Sequence, residues 1–282
     1  MKVPLSYFFV MAKLYKTVLS IAGSDTIGGA GIQADIKTCC SIGTYAMTVI
    51  TALTAQNTMG VKSVLATPAL MVKQQLDAVM ADVKPDAVKI GMIPDADCAN
   101  VIADFLEENL PFNVVVDPVM VATSGDSLSS DPAVDVLKKR ILPFASVVTP
   151  NIPEAKALTG LEIFGIADMK AAAVKIMNDY NSASVLVKGG HLIDDDNVLL
   201  RDYFIAHDKQ NCTFTHPKVD TVNTHGTGCS LSSAIASFLA KGCSIKTALR
   251  NAIKWEYKAI CKGAKYEFGH GHGPINHIFK TI

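Results

Sequence analysis

Short apolar, β-branched runs alternate along this chain with longer stretches of helical period. TVLSIAG at 17–23 predicts a buried strand, and GGAGIQADIKTCCSIG at 28–43 a loop that feeds a helix. MTVITALTAQN at 47–57 predicts a second strand and VKSVLAT at 61–67 a short third, followed by an amphipathic helix over 68–83. DAVKIGMI at 86–93 and NVVVDPVM at 113–120 are further strands, with a helix over 95–110 between them. ASVVTPN at 145–151 and SASVLVKGG at 182–190 continue the alternation. Strands that are apolar throughout are buried on both faces, and helices of about ten or more residues between them imply parallel pairing. The predicted class is α/β, with a mainly parallel sheet covered on both sides. Beyond Gly190 the pattern turns to hairpin-like runs at 197–206 and 212–219, then to two long helices over 226–241 and 244–263.

No repeat, low-complexity tract or linker interrupts 17–282, which reads as a single domain after an extension over 1–16. That extension lacks the long apolar core and cleavage site of a secretory signal. A composition of 49% hydrophobic and 18% charged residues belongs to a folded chain rather than a disordered one. No apolar run reaches the roughly 18 residues of a membrane span. A formal net charge of zero gives no global field for nucleic acid or an anionic membrane. The seven cysteines are odd in number and contain no C-x-x-C pair. A disulfide framework and a cysteine zinc site are therefore not expected, and a reducing, cytoplasmic setting is.

In parallel sheets ligands bind at the carboxyl ends of the strands, so the loops there carry the candidate chemistry. Gly226 and Gly228 in HGTGCSLSSAIASFLAKG permit a tight turn before a helix, whose first N–H groups form an anion site. Cys229 in that first turn is expected to have a lowered pKa, because the helix dipole favours thiolate. A small buried cysteine at a helix cap is the plainer alternative. Glycines 28, 29 and 31, bracketed by Asp25 and Asp35, suit close backbone approach to a ligand, although a mere turn needs them equally. Neither the dinucleotide fingerprint nor the Walker pattern occurs. Asp117 ends a strand before Pro118, which forces the chain out of the sheet. Asn151 and Glu154 end another strand; Asp117 and Glu154 together could hold Mg²⁺, while Glu154 also suits an ordinary first-turn position. Lys188 ends a third strand, near where polyphosphate charge would lie.

In order along the chain, AGSD…GGAGIQADIK, TALTAQNT, KIGMI, VVDPVM, TPNIPEA, VKGGH and HGTGCSLSSAIA resemble the hydroxymethylpyrimidine/phosphomethylpyrimidine kinases of thiamine biosynthesis, within the ribokinase superfamily. The resemblance runs from about Thr17 to GHGPINH near the end. It implies a ribokinase-like three-layer α/β/α sandwich and two successive phosphoryl transfers from MgATP. The first goes to the alcohol of 4-amino-5-hydroxymethyl-2-methylpyrimidine and the second to its monophosphate. It implies Cys229 as base, with Gly226, Thr227 and Gly228 as the anion hole. Asp35 and Gln56 would hydrogen-bond the pyrimidine, with Gly23, Met92 and Val119 around the ring. Lys188, Asn151 and Thr227 would face the nucleotide, along with the loop near 213–222, and Asp117 and Glu154 the magnesium. Relatives also suggest a homodimer.

Two departures stand out: Thr26-Ile27, where relatives carry two small hydroxyl residues, and a tail with His270, His272 and His277. Ile27 would either narrow the pocket mouth or face solvent; the histidines would either bind a metal or belong to a terminal loop. The rival functions are a pyridoxine or pyridoxal kinase, whose substrate also bears a hydroxymethyl group, and a non-catalytic pyrimidine or nucleotide sensor, which would need no base.

Overall fold

The apolar runs assemble into one sheet of nine strands. The computed structural model describes residues 14–111, 113–120, 128–190, 192 and 198–279. Its strands are β1 (Thr17–Asp25), β2 (Tyr45–Asn57), β3 (Gly60–Ala66), β4 (Ala87–Ile90), β5 (Val114–Val116), β6 (Val147–Val148), β7 (Ser184–Val187), β8 (Leu199–Ala206) and β9 (Asn211–Pro217). The order is β3-β2-β1-β4-β5-β6-β7-β8-β9. The strands from β2 through β7 pair parallel, while β3 at one edge and β8 and β9 at the other pair antiparallel.

Alternation along each strand divides the core. Leu19, Ile21, Val88, Ile90, Val116 and Val185 point to one face. That face is covered by α2 (Ala69–Met80), α3 (Ala96–Asn109), α4 (Asp131–Val136), α5 (Ile152–Thr159) and α6 (Ile166–Asp179). Val18, Ala87, Val115, Val147 and Leu186 point to the other, under α1 (Gly31–Ile42), α7 (Thr227–Ala240) and α8 (Ile245–Gly263). The result is the three-layer α/β/α sandwich. The alternation in sequence leaves room for α5 and α6 between 151 and 182 without delimiting them. Asn151 and Gly160 do so, as the capping box that starts α5 and the left-handed residue that ends it.

After β1 the chain moves outward to β2 and β3, then returns to place β4 on the opposite side of β1. The strand order therefore reverses between β1 and β4, and a crevice opens beyond their carboxyl ends. The extension over 1–16 lies mostly outside the described residues.

Candidate active site

A cavity of ≈ 620 Å³ fills this crevice. The end of β1 contributes Gly23 and Asp25; β2 contributes Thr54 and Gln56; the loop after β4 contributes Met92, and that after β5 contributes Asp117, Val119 and Met120. Asn151 and Glu154 enter at the start of α5, Lys188 after β7, and Gly226 through Cys229 at the start of α7. All the sequence-predicted site residues thus line one cavity, with one exception.

The exception is Asp35. It has no exposed surface and lies behind the cavity wall, on the sheet-facing side of α1. Its Oδ1 and Oδ2 accept from Lys89 Nζ at 3.0 and 2.8 Å. Ser20 and Ser233 donate to it at 2.5 and 2.6 Å. In this structure Asp35 therefore does not face a ring in the cavity; its acceptors are already engaged inside the protein.

The anion loop is held by backbone shape. Gly226 has φ +79, and any side chain there would run into the Gly29 carbonyl oxygen. No side chain caps α7, and the N–H groups of Gly228 and Cys229 have no acceptor among the described residues. They line the cavity and are open to an anion. Lys188 lies beside them: a Cβ on Gly228 would come within 3.2 Å of its Nζ. Lys188 Nζ is 2.8 Å from Asp117 Oδ1. Burial opposes the Lys188 charge, but Asp117 and Glu154 outweigh it and hold the ammonium above its ordinary pKa.

Glu154 serves two purposes at once. Its Oε2 accepts from Asn151 N, and Asn151 Oδ1 accepts from Glu154 N, both at 2.8 Å. Burial pushes its carboxyl up to about 7, with Lys188 opposing and Asp117 adding to the rise. Asp117 and Glu154 are therefore two buried carboxyls at neighbouring strand ends around one cation.

Cys229 departs from expectation. Burial pushes its thiol up to about 11. Lys89 and the Gly31 N–H act in the lowering direction, while Asp35 and Asp117 add to the rise. Desolvation outweighs the helix-terminus effect that predicts a lowered value.

Sequence reasoning left Asp25 and His225 without a role. Asp25 Oδ2 accepts from Gly29 N at 2.8 Å and Ala30 N at 2.7 Å, and lies 2.8 Å from His225 Nε2. Burial would raise the Asp25 carboxyl, yet the His225 and Ala30 hydrogen bonds bring it below its usual value. The pair ties the glycine loop after β1 to the anion loop, and Gln56 Nε2 lies 3.5 Å from the same imidazole nitrogen. An aspartate opening a glycine run is a signature of such a turn, whereas the histidine partner is visible only in three dimensions. At the far end of the cavity, Asp202, His216 and Glu256 also line the wall, and burial pushes Glu256 up to about 8. The departures resolve simply. Ile27 is half-buried and does not line the cavity. Of the tail histidines, His277 packs on Ser230 Oγ at 2.8 Å and His272 on the Val222 carbonyl. No cluster of three metal-ligating side chains occurs among the described residues.

A helix N-terminus, a lysine and two carboxyls meet in the crevice of a parallel sheet, the arrangement of a phosphotransferase of the ribokinase-like α/β class. Comparison with known proteins agrees. The profile of the family described as phosphomethylpyrimidine kinase matches residues 25–276, and the chain belongs to that family. It is 46% identical over 263 residues to the hydroxymethylpyrimidine/phosphomethylpyrimidine kinase of Rhizobium meliloti, covering 93% of this chain and 97% of that one. It is equally identical to the thiamine biosynthesis bifunctional protein of Geobacter sulfurreducens, over 93% of this chain but only 52% of that longer one. Among solved structures, the ADP complex of Bacillus subtilis pyridoxal kinase superposes with a TM-score of 0.85 at 32% identity, over 94% of this chain and 98% of that one.

Proposed function

We propose that this enzyme transfers the γ-phosphoryl group of ATP to the hydroxymethyl group of 4-amino-5-hydroxymethyl-2-methylpyrimidine, and then a second phosphoryl group to the monophosphate, for thiamine diphosphate synthesis. The observation that carries this is the position of Cys229. It opens α7 in the same cavity that Lys188, Gly23, Gln56, Met92 and Val119 line. Gly23, Met92 and Val119 offer apolar surface and Gln56 one amide, which suits an aminopyrimidine ring. Gln56 can accept from the exocyclic amino group and donate to a ring nitrogen.

Lys188 and the Gly228 and Cys229 N–H groups would bind the phosphates, with Thr227 and Asn151 at the edge. The substrate oxygen bonds to the γ-phosphorus as the bond to the ADP oxygen breaks, and the hydroxyl proton passes to Cys229 once its thiol has given up its own proton, against the burial that raises its pKa. Asp117 and Glu154 fit Mg²⁺, which is held through one or two carboxylates together with substrate phosphates. When bound, Mg²⁺ would neutralise phosphate charge and orient the oxygens. Two buried carboxyls sharing one lysine form a donor set that gains from a second cation.

One nine-stranded sheet with its two helical layers supports reading 17–282 as a single domain. Leu53, Met59, Leu65, Leu70 and Met71 expose apolar surface along β2, β3 and α2, which supports a homodimer formed through that flank. All seven cysteines are free, in keeping with a cytoplasmic setting, and no helix among the described residues is long and apolar enough to cross a membrane.

The test is ATP consumption with hydroxymethylpyrimidine and with pyridoxal in parallel, the products resolved by mass. A pyrimidine diphosphate is expected. Phosphorylation of pyridoxal alone would replace this reading with a vitamin B6 kinase, and pyrimidine binding without ATP turnover would make the chain a sensor.

A further inference from the structure

Glu256 of α8 is only 8% exposed, yet its carboxyl has no hydrogen bond or ion pair among the described residues. A buried polar group without a partner is costly, and a leucine would fill the same place in the helix without that penalty. Asp202 and His216, which share its wall, are engaged with other groups. Asp202 Oδ1 accepts from Gly189 N at 2.9 Å, and His216 Nε2 lies 3.5 Å from Asp202 Oδ2. Glu256 lines the cavity, so its partner is one that the cavity receives.

Sheet order tells which part of a bound nucleotide reaches this wall. Gln56 stands on β2 and Asp202 on β8, six strand spacings of about 4.8 Å apart, or roughly 29 Å along the sheet. Asp117, Glu154 and Lys188 follow β5, β6 and β7, between the two. A donor whose phosphates meet Lys188 and the α7 N-terminus therefore carries its other end over β8 and β9, away from the acceptor. The carboxyls of Asp202 and Glu256 disfavour phosphate there. The rest of that wall is apolar: Leu200 of β8, Leu231 of α7 and Ile260, one turn after Glu256 in α8. Apolar side chains around one hydrogen-bond acceptor suit a flat heteroaromatic ring with an amino group better than a ribose with its several hydroxyls. Burial pushes the Glu256 carboxyl up to about 8, with Asp202 and Asp117 adding and His216 and Lys188 opposing. As the acid it sets one acceptor beside one donor, the complement of the amino group of adenine and the ring nitrogen next to it.

We propose that Glu256 is a specificity-determining residue of the phosphoryl-donor site, and that its carboxyl accepts a hydrogen bond from the exocyclic amino group of adenine. This rests on the reading of the chain as an ATP-dependent kinase, and it adds which part of the donor the β8–β9 wall reads. It accounts for a carboxyl buried without a partner and for the apolar side chains around it. Glu256 takes no part in the transfer itself, so its loss weakens nucleotide binding and leaves the chemical step alone.

The experiment compares ATP with purine riboside triphosphate, the same nucleotide without the amino group, in wild type, Glu256→Leu and Glu256→Gln. Wild type is expected to show a roughly tenfold higher KM for the analogue, the worth of one or two neutral hydrogen bonds. Glu256→Leu should raise the KM for ATP by about the same factor, keep kcat within about twofold, and no longer distinguish the two nucleotides. Glu256→Gln, whose amide also sets one acceptor beside one donor, should keep the discrimination. Calorimetry with ADP and purine riboside diphosphate separates this contact from the kinase reading: discrimination that vanishes in Glu256→Leu upholds the contact even where no acceptor is phosphorylated. Equal discrimination by wild type and Glu256→Leu would overturn the proposal. So would a selectivity against 2′-deoxy-ATP that Glu256→Leu alone loses, which would put the carboxyl on the ribose. A wild type that binds both purine nucleotides equally would overturn it without any variant.

Discussion

Lys188 Nζ sits 2.8 Å from Asp117 Oδ1, although their strands are separated in the sheet by β6. Thr149 Oγ1 donates to the same carboxylate oxygen at 3.1 Å. The cation that would receive a polyphosphate is therefore held in place beforehand, and a phosphate need only share it. Lys188→Met is expected to lower kcat/KM for ATP by roughly 10- to 100-fold, the worth of one or two charge-assisted hydrogen bonds. The KM for the pyrimidine should change little. An unchanged KM for ATP would place Lys188 outside the phosphate site.

The same carboxylate gives a separate prediction. Asp117→Asn keeps the shape and the Thr149 contact but removes the charge, so activity should need about tenfold more magnesium. It also frees Lys188, so ATP binding measured without magnesium should tighten slightly. A magnesium titration that superimposes on the wild type would take Asp117 out of the metal shell. Asp117→Asn is cleaner than a change at Glu154, whose carboxylate also caps α5.

Cys229→Ala should reduce kcat by about 10²–10⁴-fold, the usual contribution of a general base, with KM values largely kept. Phosphoryl transfer relies mainly on positioning and charge, so residual turnover is expected rather than none. Wild-type turnover in this variant would rule the base out.

Asp25 and His225 lie 200 residues apart in sequence yet 2.8 Å apart in space. Asp25→Ala would orphan the Gly29 and Ala30 N–H groups at the start of α1 and release His225. Each buried N–H left without a partner costs about 1–3 kcal/mol, so the urea midpoint should fall clearly. Activity should fall further than stability alone explains, because Gln56 and the anion loop both lean on that histidine. Loss of stability with kcat/KM intact would confine the pair to a structural role.

What the sequence discloses here follows physical range. Asp117, Lys188 and Gly226 are legible because they stand at ends of elements, where Pro118, Gly189 and Gly228 punctuate the chain locally. Asp35 illustrates a limit that was readable in principle. Ile32, Asp35, Cys39 and Ile42 share a helical face, and all are buried, so the period places Asp35 against the sheet, not the cavity. Motif order points to substrate; helical phase points to Lys89. The Cys229 thiol escapes a local reading for a related reason: dipole effects follow from local sequence, but desolvation depends on how the whole chain closes. Asp202, His216 and Glu256 come from β8, the edge strand β9 and α8, and only the folded sheet brings them to one wall.

The tail supplies a prediction about stability and pH. His277 is buried against the first turn of α7, where its Nε2 lies 2.8 Å from Ser230 Oγ. Burial, with a smaller effect from Lys37, pushes its imidazole down to about 4. In the unfolded chain it titrates near 6.5. The folded state therefore binds fewer protons than the unfolded state between those values, and stability rises with pH across that window. The contribution is complete above about pH 6.5 and is lost progressively as pH falls toward 4, at up to about 1.4 kcal/mol per unit. Glu154 and Glu256, raised by burial, act in the opposite sense above their unfolded values, so the comparison must be a difference between variants. His277→Gln removes the titration while keeping a partner for Ser230. Urea unfolding at pH 7.5 and pH 5 should show wild type losing about 1–2 kcal/mol more than this variant over the interval. A wild type minus His277→Gln difference that does not change with pH would mean that His277 protonates freely in the folded enzyme, and that the tail is not locked onto α7.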